Sequence, residues 1–146
     1  MSSEGTLYVD ATNQIAGRLS SKIARLLISG RRVVVVNAEK SLVSGSRTSV
    51  VRRWQERLEI ASHVNPIYGP IHPRRPDNIL KRMVRGMVPR KKTKGVLAMK
   101  RLRVYVGLPQ GIDATRLTQF EDASAPRPTP VYVTMGELSK TLGWND

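Results

Sequence analysis

Residues 31–38 read RRVVVVNA. Four consecutive valines, Val33, Val34, Val35 and Val36, place branched apolar side chains on both faces of an extended segment, so neither face can lie in water. A half-exposed antiparallel strand would alternate apolar with polar residues. An unbroken valine run predicts instead a strand of a parallel sheet, covered on both faces. Parallel pairing needs a crossover, and the preceding residues supply one. Residues 7–11, LYVDA, predict a short strand. From Asn13, NQIAGRLSSKIARLLISG sets Ile15, Leu19, Ile23, Leu26 and Leu27 along one side of a 3.6-residue helix, with Arg18, Lys22 and Arg25 turned away and Gly30 as a left-handed terminator. After a turn around SLVSGS, a second helix is expected from about Arg47 to Ile60. Its Val50, Val51, Trp54 and Leu58 share one face, and Arg52, Arg53 and Arg57 lie mostly on the other. The first 60 residues thus read βαβα, the order of an α/β domain.

Working outward, residues 62–76 form a proline-rich loop: HVNPIYGPIHPRRP holds four prolines and a glycine and cannot be a regular element. It is expected to cross a surface, ordered by itself or by a partner. From Asp77, an expected N-cap, DNILKRMVRGMVP puts Ile79, Leu80, Met83, Val84, Met87 and Val88 within half of a helical wheel, with Lys81, Arg82 and Arg85 on the other half and Pro89 as the stop. GVLAMKRLRVYVG predicts a short helical turn followed by a strand at residues 103–106. Residues 107–130, rich in Gly, Pro and polar side chains, are expected to wander irregularly over the surface. VYVTMGELSKTLG predicts a strand, a capping box of Thr134 with Glu137, and a helix ended by Gly143. The length of 146 residues suits one domain spanning residues 1–146.

Charge dominates the composition. The 25 Lys and Arg exceed the 11 Asp and Glu by 14, and the sequence pI is about 11.1. Residues 71–103 hold 12 of those cations and a single acid, Asp77, so +11 of the +14 sits in one stretch. A solvated helix face usually interleaves the two signs; here like charges repel unless something outside the chain neutralises them. Phosphates would do so, and the counterions they release drive sequence-independent affinity for nucleic acid. In residues 77–103, Arg90, Lys91, Lys92 and Lys94 follow Pro89 as a cluster outside the packed body. Lys81, Arg82 and Arg85 extend that surface along the helix, Arg74 and Arg75 lead into it, and Lys100 and Arg101 close it. Aromatic residues make up only 5 % of the chain, so a platform stacking single-stranded bases is not predicted. The economical mode is docking on the phosphate backbone of a structured RNA, with Pro-rich and Gly-rich loops entering crevices between its helices. A DNA architectural role satisfies the charge alone.

Other classes find no support. The chain has no cysteine, which removes disulfides, thiolate zinc sites and cysteine nucleophiles. His63 and His72 lie in the proline-rich loop without a carboxylate at metal-ligand or triad spacing. The first turn, DATNQIAGR, carries one glycine where a dinucleotide fingerprint needs three, and no phosphate-binding GxxxxGK[ST] occurs. Asp10, Glu39 and Asp77 are scattered single acids, suited to caps or ion pairs. No catalytic residue, cofactor or metal is expected, and a nucleotide-dependent or RNA-modifying enzyme built on the βαβ start lacks its machinery. Neither a signal peptide nor an apolar run of membrane-spanning length is present, so a cytoplasmic protein without membrane contact is expected. No homo-oligomer is expected.

In order and spacing, VVVVNAEKSLVSG, RPDNILKRMVRGMVPRKKTKG, LRVYVG and YVTMGELSKTLG resemble the universal large-subunit ribosomal protein thirteen family, from about Leu7 to Gly143. The specific part is Arg85-Gly86-Met87 with Pro89, the basic run to Gly95, and Val104-Tyr105-Val106-Gly107. IYGPIHPRRP is similar to the archaeal and eukaryotic branch, and the chain does not run on into the long C-terminal extension of eukaryotic members, which points to an archaeal source. The resemblance implies a three-layer α/β body with a mostly parallel central sheet flanked by helices. It also implies contact with large-subunit ribosomal RNA beside neighbouring ribosomal proteins, a part in early subunit assembly, and no enzymatic activity. Its RNA-facing segment would fall here on Arg74, Arg75, Lys81, Arg82, Arg85, Arg90, Lys91, Lys92 and Lys94.

Overall fold

The valine run becomes the middle strand of a parallel sheet. The computed structural model describes residues 5–125 and 132–145. Strand β2 (Arg32–Val36) pairs in parallel with β1 (Thr6–Asp10) on one side and β4 (Leu102–Val104) on the other. Val33 stands opposite Leu7 and Leu102, and Val35 opposite Val9 and Val104. Val33, Val35 and Val36 are fully buried and Val34 is half-buried, so both faces of the strand are covered as the run requires.

The crossover is α1 (Ala16–Ile28), which buries Ala16, Leu19, Ile23, Ala24 and Leu27. It starts three residues after Asn13, which instead takes a left-handed turn conformation at φ 60°. Gly30 closes the helix at φ 103°, a conformation open to glycine at little cost, and its amide donates to the Leu27 carbonyl at 3.1 Å.

The chain reaches β4 through α3 (Pro76–Arg85) and α4 (Thr93–Lys100), both packed against α1. Two boundaries differ from expectation. Arg75, not Asp77, is the N-cap of α3, because Pro76 takes the first helical position, where its missing N–H costs nothing and its fixed φ fits. Asp77 sits inside the first turn and accepts from the Asn78 amide at 2.9 Å. The helix also stops at Arg85, with Gly86 as C-cap, four residues before Pro89. Val88 is still buried, but from the following turn, while Met87 is exposed. The expected turn before β4 is a full eight-residue helix, and β4 ends at Val104, although the Tyr105 amide still donates to Val35 at 2.8 Å.

A second sheet was not expected. SLVSGS is not only a turn: β3 (Leu42–Ser44) pairs antiparallel with β5 (Tyr132–Thr134), setting Val43 opposite Val133. Helix α2 (Arg47–Leu58) follows β3 and fully buries only Val50, and α5 (Met135–Thr141) follows β5. Thr134 caps α5 by accepting from the Glu137 amide at 3.2 Å. Residues 107–125 are irregular, yet they do not wander. The Thr118 amide donates to Tyr8 at 2.9 Å and the Ile15 amide to Ala123 at 2.7 Å, which leaves Ala123 fully buried. Residues 126–130 of that expectation lie outside the described residues. The result is one α/β domain with helices packed around a central parallel sheet.

Candidate nucleic-acid interface

Helix α3 is amphipathic: Ile79, Leu80 and Val84 bury into the core, and Lys81, Arg82 and Arg85 are left exposed by the same period. The turn after it brings Arg90 and Lys91 back beside the helix, and α4 contributes Lys100 from its last residue. Lys81, Arg85, Arg90, Lys91 and Lys100 line one open groove, with Val96 and Met99 as its apolar lining. Lys81 and Arg85 also border a neighbouring depression that Arg82, Asn78, Ile71 and Pro73 complete.

The turn depends on a close backbone approach. A Cβ on Gly95 would stand 2.0 Å from the Pro89 carbonyl oxygen, so only glycine lets α4 pack onto the turn that presents Arg90 and Lys91. Lys92 and Lys94 are exposed on the same connection but lie outside the groove lining.

The other expected contact residues are placed differently. Arg75 is exposed and pairs with Asp77 at 3.3 Å. Arg74, also exposed, reaches the end of the last helix near Gly143. Arg82 donates to the Ile71 carbonyl at 3.2 Å, pinning the proline-rich loop to α3. Arg101 is half-buried and donates to the Leu27 carbonyl at 3.0 Å, a second donor beside the Gly30 amide at the C-terminal end of α1. Val96 and Met99 were not expected at the site, because the short helical turn expected from Gly95 does not set them on the groove-facing side of an eight-residue helix. Nor was Arg103, which is exposed and donates to the Lys100 and Leu102 carbonyls.

Acids are scarce on this face. Among the described residues, Arg75–Asp77 is the only ion pair drawn from residues 71–103, and the pairs Lys22–Asp122 and Arg52–Glu56 lie on other elements. Mutual repulsion in the groove is therefore not cancelled by an ion pair among the described residues. What the arrangement can do is hold several phosphates along a track, with an apolar patch beside them for ribose or base edges.

Asp10, Glu39 and His72, polar residues outside this face, make bonds within the fold. Asp10 Oδ1 accepts from the Thr12 amide at 3.0 Å, the Thr12 hydroxyl at 2.7 Å and the Asn37 side chain at 3.0 Å. Burial pushes this carboxyl up, but the Thr12 and Asn37 hydrogen bonds with the nearby Lys40 charge outweigh it and hold it below its ordinary value. Glu39 accepts from the Gly107 amide at 2.9 Å. His72 Nε2 donates to the Ile60 carbonyl at 2.8 Å and closes the base of the proline-rich loop. Among the described residues, no group of His, Cys, Asp and Glu could hold a metal ion, and no helix is long and apolar enough to cross a membrane.

Comparison with known proteins bears on this geometry. The family model for ribosomal protein L13 matches residues 4–111. The chain is 46 % identical over 142 residues to the large ribosomal subunit protein uL13 of Sulfurisphaera tokodaii, covering 97 % of each chain. It is 43 % identical to that of Sulfolobus acidocaldarius over 143 residues, 97 % of this chain and 96 % of the relative. With that of Methanococcus maripaludis it shares 42 % over 138 residues, 94 % of this chain and 97 % of the relative.

Proposed function

The chain belongs to the ribosomal protein L13 family, and from that premise we propose that it is a structural constituent of the large ribosomal subunit. It binds ribosomal RNA through its basic face and contributes to early assembly of the subunit in the cytoplasm. The observation that carries this reading is the groove in which Lys81, Arg85, Arg90, Lys91 and Lys100 converge from two helices and a turn. A ribose-phosphate backbone supplies the anions that the protein itself withholds. Lys92, Lys94, Arg82, Arg74 and Arg75 extend the contact beyond the groove, and Arg101 offers the part of its guanidinium not bonded to Leu27. The reading calls for no catalytic role, and it is supported by Asp10, Glu39 and His72 each making backbone or side-chain bonds that hold the fold.

The experiment is co-sedimentation. At moderate salt the chain travels with intact large subunits; recovery only in the free soluble fraction, while subunits remain intact, overturns the proposal. Competition between duplex DNA and large-subunit RNA at matched salt separates it from a DNA architectural role.

A further inference from the structure

The proline-rich loop does not share the chemistry of the basic face. Val64, Ile67, Tyr68 and Ile71 are 96, 82, 84 and 75 % exposed and Ile60 is 59 % exposed, whereas no other exposed large apolar side chain among the described residues exceeds 46 %. Residues 59–73 contain no Lys or Arg at all, and the one charge there is Glu59. At 25 cations in 146 residues, a stretch of that length would carry two or three.

The loop is also built rather than slack. His72 closes its base on the Ile60 carbonyl, and Arg82 ties the Ile71 carbonyl to α3. The Asn65 side chain accepts from the Ile67 amide at 3.1 Å and starts a single 3-10 turn, Pro66–Tyr68. A Cβ on Gly69 would stand 2.8 Å from the Ser62 amide nitrogen, so the two limbs touch. Pro66, Pro70 and Pro73 fix three backbone angles. Several backbone groups of the loop are thus bonded within the fold while Ile67, Tyr68 and Val64 are exposed, an arrangement that lowers the ordering cost of binding and leaves an apolar tip in water.

We propose that residues 60–71 are a docking surface for polypeptide: the tip inserts into an apolar depression on a neighbouring protein of the large subunit. Charge selects the occupant. Phosphate affinity comes from cations, which this loop lacks while the adjoining face concentrates them, so RNA and protein contacts are divided between two surfaces that meet where Ile71 and Pro73 border Arg82 and Lys81. The inference rests on placement in the large subunit.

The test replaces Tyr68 with the photoreactive p-benzoylphenylalanine and irradiates purified large subunits carrying the variant. The expected product is one crosslink to a defined apolar peptide of another subunit protein. A crosslink to a ribosomal RNA nucleotide, to a second copy of this chain, or to nothing overturns the inference. In parallel, the double variant Ile67→Ser with Tyr68→Ser, both far out in solvent, should wash off subunits at half the salt or less that releases the unaltered chain. Its affinity for deproteinised large-subunit RNA should stay within twofold; a tenfold loss there would show that the tip reads RNA. If the unaltered chain is absent from large subunits, it is the assignment to the subunit that fails, not the division of surfaces alone.

Discussion

Replacing Gly95 with alanine sets two physical effects against each other. Gly95 is the third residue of α4, where helix propensity alone favours alanine by up to about 1 kcal/mol. The added Cβ, however, would lie 2.0 Å from the Pro89 oxygen, 2.3 Å from the Pro89 carbonyl carbon and 2.8 Å from the Arg90 nitrogen. All three are backbone atoms, so no side chain can swing away. Even a close C–H···O contact sits at about 3.3 Å, and the turn must open by more than about 1 Å. Overpacking of this kind costs about 3 kcal/mol at the upper end of its ordinary range, and more where backbone must move. The net is destabilisation by about 2 kcal/mol, or a fall of about 6 °C in the apparent Tm of a domain this size. Gly17→Ala is the matched control. Nothing lies within 4 Å of its Cβ in α1, so it should stabilise by a few tenths to about 1 kcal/mol. Urea unfolding of both variants gives the comparison. A Gly95→Ala chain as stable as the unaltered one would refute the reasoning, and with it the claim that this contact holds Arg90 and Lys91 against α3.

Three further outcomes are expected. Leu19→Ala, in the fully buried face of α1, should cost about 2–5 kcal/mol by denaturant titration, because the sheet beneath it cannot collapse into the space. Asp10 titrates below its ordinary value in the folded chain, so its contribution is fully present above the unfolded value and is lost as the pH falls through the folded one. Unfolding free energy measured from about pH 5 downward should therefore drop below about pH 4, and Asp10→Asn should flatten that drop. Arg101→Ala should lower the Tm by a few degrees through loss of its charge-assisted bond to the Leu27 carbonyl, which keeps only the Gly30 amide, whereas Lys92→Ala, which removes a side chain without a hydrogen bond or ion pair to another described residue, should leave it unchanged.

Much of the fold was legible because its signals were local. Val33, Val34, Val35 and Val36 announced a strand covered on both faces, and Gly30 marked the end of α1 at the residue where the chain turns left-handed. What the sequence hid was non-local. Leu42–Ser44 is too short to show alternation, and its partner Tyr132–Thr134 lies about 90 residues away, so nothing near SLVSGS distinguishes a paired strand from a turn. The start of α3 differs from expectation because Pro76 pre-empts the cap that Asp77 offers. Its end differs because Val88 keeps the apolar period going from a turn. For the candidate site, charge counting marks out a stretch but does not sort its members by where the fold places them. Only the packing of α4 brings Lys100 beside Lys81 and Arg85, and only the fold turns Arg101 inward to Leu27.

The central claim is that the uncompensated cations of the α3–α4 groove and of the connection beside it, which carries Lys92, are held for RNA phosphates. Its most direct test is the salt dependence of association with deproteinised large-subunit RNA, compared between the unaltered chain and the triple variant Arg90→Ala, Lys91→Ala, Lys92→Ala. Loss of up to three phosphate contacts should reduce the slope of log affinity against log salt by about 2 to 3, with the unfolding midpoint of the free protein unchanged. An unaltered slope would mean that these side chains face solvent in the complex, and would contradict the account.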